Sequence, residues 1–342
     1  MINTPQNERE LNDLVSQPSG QLIDFIKTLS GDISILGANG KIGLSLSLMA
    51  KRAIEMANVD KKVYAVSRFS SDEGRLLLEE HGIETIACDL NDREQVKSLP
   101  KTENVIFMAG RKFGTQGSEP YTWAMNVLMP AVCAGHYKDS KIVAFSTGCV
   151  YSLVSKDTGG SVETDRPDPV GEYAQSCLGR ERIFEYYSFT EKTPVLLLRL
   201  NYSTDLRYGV LCDIAKKIWN DEPVVTDCAY FNISWQGDVN NYTLLALSEC
   251  SSPANYLNIT GPEILSVAEV AEEMAIIMGK KAIIKCTEND RSYLNDAAKS
   301  FRLFGKPSVT AKELIRMQAE WIMQGGKDID IPTHFEVGDG KF

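Results

Sequence analysis

The sequence predicts an α/β fold, in which a Rossmann-type, doubly wound parallel sheet is accompanied by a smaller C-terminal substrate lobe. Three observations predict it. Short apolar runs alternate with longer helical segments, the first run ends in three glycines spaced by three, and polar or glycine residues follow several later runs. This alternation is typical of parallel strands joined by crossover helices, and such sheets bind ligands at the carboxyl ends of their strands.

Composition narrows the class of protein. The chain has 342 residues, 43% of them hydrophobic, which is enough for one large or two medium domains. The net charge of -10 argues against a broad surface for nucleic acid or an anionic membrane. No apolar run reaches the roughly 18 residues of a membrane span, and the N-terminus is acidic where a signal peptide is basic. We expect a cytoplasmic protein that acts on a small molecule.

Metal and disulfide chemistry are not indicated. The eight cysteines form no CxxC pair, and the three histidines lie far apart in the sequence. Structural zinc sites and disulfide frameworks need closely spaced ligands or paired cysteines. We therefore expect neither a metal centre nor a disulfide scaffold.

The chain divides into three predicted parts. The apolar spacing within residues 1–31 predicts two short helices, one on either side of Pro18 and Gly20. These helices either pack beside the sheet or reach towards a partner. The cofactor domain is predicted to comprise 32–202 with 234–262, and the substrate lobe 203–233 with 263–342. Beyond the first strand, the predicted strands are 62–66, 84–87, 104–108, 141–146 and 256–259, and the predicted helices are 44–58, 71–81, 120–136, 210–220, 266–278 and 311–323.

The glycine loop is the first candidate site. Gly37, Gly40 and Gly43 follow a buried strand and precede a helix, where the absence of side chains lets a phosphate approach the backbone. The spacing is GxxGxxG, and a glycine triplet alone is a weak signal. The loop also places Asn39, Lys41 and Ile42 beside a dinucleotide.

Later strand ends complete the predicted cofactor crevice. Ser67 and Arg68 end the second strand, where an acidic residue would favour NAD and a small polar residue followed by Arg favours NADP. The alternative for Arg68 is an ordinary solvated loop residue. Asp89, Ala109 and Gly110 follow the third and fourth strands and complete the set.

At this point the chain resembles the extended short-chain dehydrogenase/reductases, also called the NAD-dependent epimerase/dehydratase family, over about residues 32–325. The order and spacing of several weak motifs carry the resemblance. They are the glycine loop, Asp89-Leu90, Asn126, the stretch from Ser146 to Tyr151, Tyr173, Arg199, Asn201 and Asp238. The resemblance implies that Leu90 and Asn126 also adjoin the cofactor, NADP or NAD, with NADP favoured.

The resemblance also implies a catalytic pair. In this family the Tyr of a YxxxK motif exchanges a proton with a substrate hydroxyl while the nicotinamide takes or gives hydride, and a Ser or Thr holds the same oxygen. The Tyr matches Tyr173, and the hydroxyl donor matches Thr147, with Ser146 as second choice.

The motif's lysine is absent, because Cys177 stands four residues after Tyr173. A phenol with a pKa near 10 needs a positive neighbour to act as a base near neutral pH. Three explanations stay open: Arg180 supplies charge from one turn away, the oxidised nicotinamide compensates, or the protein binds a dinucleotide without turning it over. For Arg180 we favour a solvated surface residue. A catalytic Cys177 lacks a histidine nearby in sequence to activate it.

The substrate side is less defined. The resemblance places Asn201 and Arg207 near the substrate, although Arg207 could equally pair with Asp205. Sugar-nucleotide enzymes of the family often hold the diphosphate with an Arg seven residues before the position of Asp238, and here that position is Phe231. A smaller sugar, sugar acid or polyol fits better.

We therefore expect an NAD(P)-dependent oxidoreductase, epimerase or dehydratase that acts on a hydroxyl or ketone of a sugar-like small molecule. The alternative is a catalytically impaired NAD(P)-binding sensor or scaffold. Helices 120–136 and 172–187 resemble the family's dimer-forming pair, so we expect a homodimer.

Overall fold

The computed structural model describes residues 2–70, 72–286, 291–336 and 338–340. Among these residues, no helix is long and apolar enough to cross a membrane. Seven parallel strands form the central sheet, in the order β12-β7-β5-β4-β1-β2-β3. The strands are β1 (Ile33–Leu36), β2 (Val63–Ser67), β3 (Glu84–Ala87), β4 (Asn104–Phe107), β5 (Lys141–Thr147), β6 (Val154–Ser155), β7 (Val195–Leu200), β8 (Ser203–Thr204), β9 (Pro223–Val225), β10 (Tyr230–Phe231), β11 (Ser234–Trp235), β12 (Asn255–Ile259), β13 (Leu265–Ser266), β14 (Ile283–Lys285) and β15 (Arg291–Ser292).

Helices cover both faces of the sheet and build the second lobe. They are α1 (Glu8–Val15), α2 (Gly20–Thr28), α3 (Gly43–Ala57), α4 (Asp72–Glu80), α5 (Arg93–Lys97), α6 (Glu119–Trp123), α7 (Met129–His136), α8 (Gly171–Thr190), α9 (Val210–Trp219), α10 (Gln236–Leu245), α11 (Val267–Met278), α12 (Ala298–Phe304) and α13 (Ala311–Met323). A π-helical turn, Ala124–Leu128, joins α6 to α7, so the predicted helix 120–136 is one irregular helix. Of the predicted helix 71–81, Ser71 lies outside the described residues.

The doubly wound sheet is confirmed. β1 is buried along its whole length between β2 and β4, as expected for a strand covered by helices on both sides. The chain adds β2 and β3 on one side of β1 and β4, β5 and β7 on the other. The strand order therefore reverses beside β1, which opens the crevice in which such sheets bind ligands. The late strand β12 returns to pair with β7, as the sequence predicts.

The three largest buried clusters of the described residues form the core of the molecule. One lies between the sheet and α2, α3 and α10, and another lies on the opposite face against α7 and α8. The third is the core of the second lobe, where α9, α11 and α13 pack on one another. The boundaries predicted for the two domains stay a prediction.

The two N-terminal helices pack against the body of the protein. Leu22 and Ile26 of α2 are buried against the sheet-side core, while Leu11 and Val15 of α1 belong to the core of the second lobe. Of the two alternatives for residues 1–31, the structure therefore shows packing, and α1 ties the second lobe to the first.

Candidate functional site

A cleft of about 310 Å³ opens at the carboxyl ends of β1, β4, β5 and β7, facing the second lobe. It brings together ten of the predicted site residues. These are Gly37, Gly40, Lys41, Ile42, Gly43, Gly110, Ser146, Thr147, Tyr173 and Asn201. Residues predicted from separate strand ends therefore meet in one place.

The glycines of the loop are required by geometry. Gly37 has φ +99°, and a Cβ there would lie 2.8 Å from the backbone nitrogen of Ala109. A Cβ on Gly43 would lie 2.5 Å from the carbonyl oxygen of Ala38. No side chain caps the start of α3, so its first amides are left for a ligand, and a helix N-terminus favours an anion. The cradle fits a dinucleotide's diphosphate.

The remaining cofactor candidates are not among the residues that line the cleft. Ser67 and the exposed Arg68 are at the end of β2, and Ala109 adjoins Gly37. A Cβ built on Gly74 of α4 would lie 2.2 Å from Oδ1 of Asn39, so the Asn39 side chain points towards α4. At the end of β3, Asp89 accepts a hydrogen bond from the backbone of Asn91 (3.0 Å), and Leu90 is buried.

Asn126 fastens the loop after β4 to α8 and is not among the cleft-lining residues. Its Oδ1 accepts hydrogen bonds from the Arg111 backbone (2.8 Å) and from Nη2 of Arg180 (2.7 Å). Its Nδ2 donates to the Arg111 carbonyl and to Oγ of Ser176, both at 2.9 Å. The side chain thus positions the neighbouring residues.

Tyr173 and Thr147 both line the cleft, and their side chains are close enough for Thr147 to influence the phenol. The thiol of Cys177 also lies near the Tyr173 side chain. Burial, with the nearby thiols of Cys177 and Cys149, raises the pKa of Tyr173 well above 10, whereas the charge of Arg180 and the side chain of Thr147 act in the opposite direction. The tyrosine is therefore a proton donor in the ligand-free protein.

Ser146, the second choice for the hydroxyl donor, has another role. Its Oγ donates to Oε1 of Glu181 at 2.6 Å. The carboxylate of Glu181 also accepts from Nε and Nη2 of Arg199, at 2.9 and 2.7 Å, and both residues are buried. The network fixes β5, β7 and α8 relative to one another and leaves Thr147 as the hydroxyl partner of Tyr173.

Cys177 is inert at neutral pH. The side chain is 1% exposed and packs against Val150 and Tyr151. Burial raises the pKa of its thiol to about 11, so the group stays neutral and supplies no positive charge to Tyr173.

The expectation that Arg180 is a solvated surface residue is wrong. The residue is 6% exposed and lines the cleft, where Nη1 donates to the carbonyl of Phe145 (2.9 Å) and Nη2 to Asn126. A Cβ on Gly110 would lie 2.2 Å from Nη2, so this glycine makes room for the guanidinium. Within the described ranges Nε has no hydrogen-bond partner and the guanidinium has no carboxylate partner. Sequence spacing places Arg180 on the same face of α8 as Tyr173. Only the structure shows that this face is buried at Arg180 and that the guanidinium enters the cleft.

The cleft carries a positive charge that the sequence analysis missed. Its charged lining residues in the described part of the chain are Lys41, Arg111, Lys112 and Arg180, and no carboxylate is among them. Nζ of Lys41 lies 3.6 Å from the ring centre of Tyr208 and 4.5 Å from that of Phe113, within cation–π range. Partial removal from water and the charge of Lys112 lower the pKa of Lys41 to about 8. In the sequence, the adjacent Arg111 and Lys112 in the loop after β4 could have indicated this positive charge.

The two predicted substrate contacts differ. Asn201 lines the cleft, and its Nδ2 donates to the Tyr293 carbonyl at 3.0 Å. Arg207 instead pairs with Asp205, through Nε and Oδ1 at 2.9 Å, and donates to Asn12 of the N-terminal helices. The alternative pairing with Asp205 is thus the one observed. Phe231 is buried in the second lobe and cannot contact a diphosphate.

Metal ligands do not cluster in the described part of the chain, where no group of three or more His, Cys, Asp or Glu could hold an ion. The chemistry of the cleft therefore has to be argued from the glycine cradle, the four cations and the Tyr173–Thr147 pair.

Neither protein-family models nor curated protein sequences match this chain. Solved structures do. A UDP-galactose 4-epimerase is 21% identical with a TM-score of 0.69, and its alignment covers 86% of this chain and 99% of that one. The UDP-glucose 4-epimerase of Thermotoga maritima, solved with UDP-glucose, is 20% identical with a TM-score of 0.70, and its alignment covers 86% of this chain and 99% of that one. The UDP-glucuronic acid 4-epimerase of Bacillus cereus, solved with NAD, is 19% identical with a TM-score of 0.71, and its alignment covers 86% of this chain and 100% of that one. The chain therefore shares the overall fold of these three epimerases.

Proposed function

We propose that the protein binds a nicotinamide dinucleotide along the glycine loop and uses it to oxidise or reduce a sugar-like small molecule at a hydroxyl or ketone. The observation that carries the proposal is that the glycine cradle and the Tyr173–Thr147 pair share one cleft. The fold neighbours solved with NAD and with UDP-sugars support the same chemistry.

The dinucleotide would lie with its diphosphate against Gly37, Gly40 and the start of α3. When bound, its nicotinamide supplies the hydride acceptor or donor. Because its pKa is raised, Tyr173 would hold its proton and could give it to the oxygen of a ketone that is reduced. For the oxidation of an alcohol, the phenol would first have to lose that proton to solvent, and the phenolate would then take the hydroxyl proton. Thr147 bonds the same substrate oxygen and holds it against the phenol.

Arg180 would supply the charge that the missing lysine does not. Its guanidinium opposes the rise in the pKa of Tyr173 and has no carboxylate partner within the described ranges. Each pKa unit corresponds to about 1.4 kcal/mol of differential interaction between the phenol and the phenolate. This contribution favours an enzyme over a scaffold that has lost its chemistry.

NADP is the favoured cofactor. Strand β2 ends in the small side chain of Ser67 where an acidic residue would favour NAD, and the exposed Arg68 follows directly. This arrangement leaves room and positive charge for a 2′-phosphate. Parallel assays with NAD and NADP test the preference.

The experiment that tests the function is a hydride-transfer assay. The purified chain is incubated with each dinucleotide and with sugars, sugar acids and polyols, and nicotinamide absorbance is followed. For an epimerase cycle that leaves no net absorbance change, the products are analysed by mass spectrometry and chromatography. We expect turnover of at least one member, and a protein that binds dinucleotide but converts none of them contradicts the proposal.

Lys41 is expected to make dinucleotide binding depend on pH. With a pKa of about 8 in the ligand-free protein, Lys41 is charged below pH 8 and neutral above it. A dianionic diphosphate favours the charged form, so affinity should fall above pH 8, by up to about tenfold per pH unit. Titration of dinucleotide fluorescence between pH 6.5 and 9.5 measures this.

The control for Lys41 uses a matched pair of variants. Lys41→Met should weaken binding and abolish its decline above pH 8, whereas Lys27→Met, on the surface of α2, should change neither. A decline that persists unchanged in Lys41→Met would assign it to another group.

We also propose a homodimer. The helices α6 to α8 lie side by side and expose large apolar side chains, among them Tyr121, Leu128, Tyr186 and Phe189. A second copy would cover these surfaces. Light scattering should give about twice the 37.9 kDa of one chain, and a mass of one chain at high micromolar concentration would contradict the dimer.

A further inference from the structure

The C-terminal strap, residues 328–336 and 338–340, crosses the second lobe and reaches the cleft. Thr333 lines the cleft together with Tyr173, Thr147 and Asn201. The strap ends against the start of α8, since a Cβ on Gly340 would lie 2.4 Å from the Val170 carbonyl oxygen. The strap therefore runs from α9 to the helix that carries Tyr173.

Several contacts hold the strap in place. The backbone N–H and the hydroxyl of Thr333 donate to Oδ2 of Asp213, at 2.8 and 2.6 Å. Nζ of Lys216 lies 3.1 Å from Asp328 and 2.9 Å from Asp330. Phe335 is 2% exposed and belongs to the core of the second lobe. A segment with a buried aromatic anchor and bonded polar groups forms a fixed wall of the cleft.

The strap limits the space at the substrate end. The cleft volume of about 310 Å³ lies at the lower end of the range of about 300–1,000 Å³ typical of ligand pockets, and a dinucleotide would already occupy much of it. Two of the fold neighbours are a UDP-glucose and a UDP-glucuronic acid 4-epimerase. This chain has the buried Phe231 where the resemblance expects an Arg for the diphosphate.

A lysine, Lys112, lies where the strap meets the cleft. Nζ of Lys112 is 3.4 Å from the carbonyl oxygen of Thr333. Burial lowers the pKa of Lys112, so an anionic ligand beside it would stabilise its charged form, and the thiols of Cys149 and Cys177 lie near it. Cys149 packs beside Tyr173. A carboxylate held by Lys112 would bring a neighbouring hydroxyl carbon towards Tyr173.

We infer that the strap and Lys112 select a small sugar acid as the substrate and exclude nucleotide-linked sugars. The inference rests on the proposed function, because it names the substrate class of the same cleft. The strap sets the size limit, and Lys112 supplies the charge that distinguishes an acid from a neutral sugar.

Binding measurements test the inference with dinucleotide present. Free hexuronates and hexonates are compared with UDP-glucuronate and with glucose, using calorimetry. At least one free acid should bind tenfold or more tightly than both comparison ligands, and Lys112→Met should weaken that acid tenfold or more while changing dinucleotide affinity less than threefold. Tighter binding of UDP-glucuronate than of every free acid, or binding of no acid by the dinucleotide-loaded chain, overturns it.

The strap itself is tested by release. Phe335→Ala removes its buried anchor, and Ile331→Ala, at an exposed position of the same segment, is the matched control. Alkylation of Cys149, followed by mass spectrometry, should become at least tenfold faster in Phe335→Ala and in a chain that ends at residue 327, and should not change in Ile331→Ala. Equal alkylation rates in all folded variants would show that the strap does not close the cleft.

These arms separate the two proposals. If no dinucleotide binds, the proposed function fails. If dinucleotide binds and UDP-glucuronate still binds more tightly than any free acid, the cofactor proposal stands and the substrate inference alone fails.

Discussion

Replacing Tyr173 with phenylalanine is expected to lower the rate of hydride transfer by about 10²–10⁴-fold, the usual contribution of a positioned acid or base. The phenol and Thr147 lie in the same cleft, and the serine that could have replaced Thr147 is committed to Glu181. Removing the hydroxyl therefore leaves a substrate oxygen without a proton acceptor. The ring that packs beside Cys149 is retained, so the fold should be unaffected.

The comparison with a second tyrosine of α8 isolates the chemistry. Tyr186→Phe changes an exposed side chain of the same helix and should leave the rate unchanged. Dinucleotide affinity should agree within about twofold among wild type and both variants, since the phenol is not part of the glycine loop that would hold the diphosphate. If Tyr173→Phe retained the full rate, the tyrosine would have no catalytic role and the sensor or scaffold alternative would gain support.

Glu181→Gln is expected to lower the free energy of unfolding by about 3–5 kcal/mol, the cost of breaking a buried ion pair. Glu181 and Arg199 are 0% and 2% exposed, and the carboxylate accepts three hydrogen bonds, including the one from Ser146. An amide accepts fewer of these bonds and leaves the guanidinium uncompensated inside the protein. Urea denaturation measures the loss.

A surface pair provides the scale for that measurement. Glu94→Gln breaks the exposed pair with Lys97 and should cost at most about 1 kcal/mol. A loss for Glu181→Gln that was no larger than the loss for Glu94→Gln would mean that the network does not hold β5, β7 and α8 together. Since Ser146 also belongs to this network, the stability defect should be accompanied by slower hydride transfer.

Much of the fold could be predicted from the sequence because it depends on local patterns. Apolar periodicity and the glycine triplet predict the strands and the βα turn, and the structure adds the reasons for Gly37 and Gly43 as specific backbone contacts. The π-helical turn that contains Asn126 was beyond such patterns, because a single turn of this kind lies inside a longer helix and is too short to show a period of its own.

The site residues that follow strand ends could be predicted from the sequence. Those whose role depends on being buried in the folded protein could not. Thr147, Gly110 and Tyr173 meet in the cleft as their positions imply. Arg180 reads as a surface residue because an arginine on a helix usually is one, and only the space left by Gly110 shows how the guanidinium enters the cleft. The strap escaped notice because a short polar tail carries no periodic signal.

The most direct test of the account is an equilibrium titration of the purified chain with NADPH and NADH, followed by nicotinamide fluorescence. The account predicts saturable binding of one dinucleotide per chain, tighter for NADPH, and its loss in Gly43→Ala, whose added methyl group would meet the Ala38 carbonyl at 2.5 Å. A folded chain that shows no saturation with either dinucleotide at millimolar concentration would contradict it.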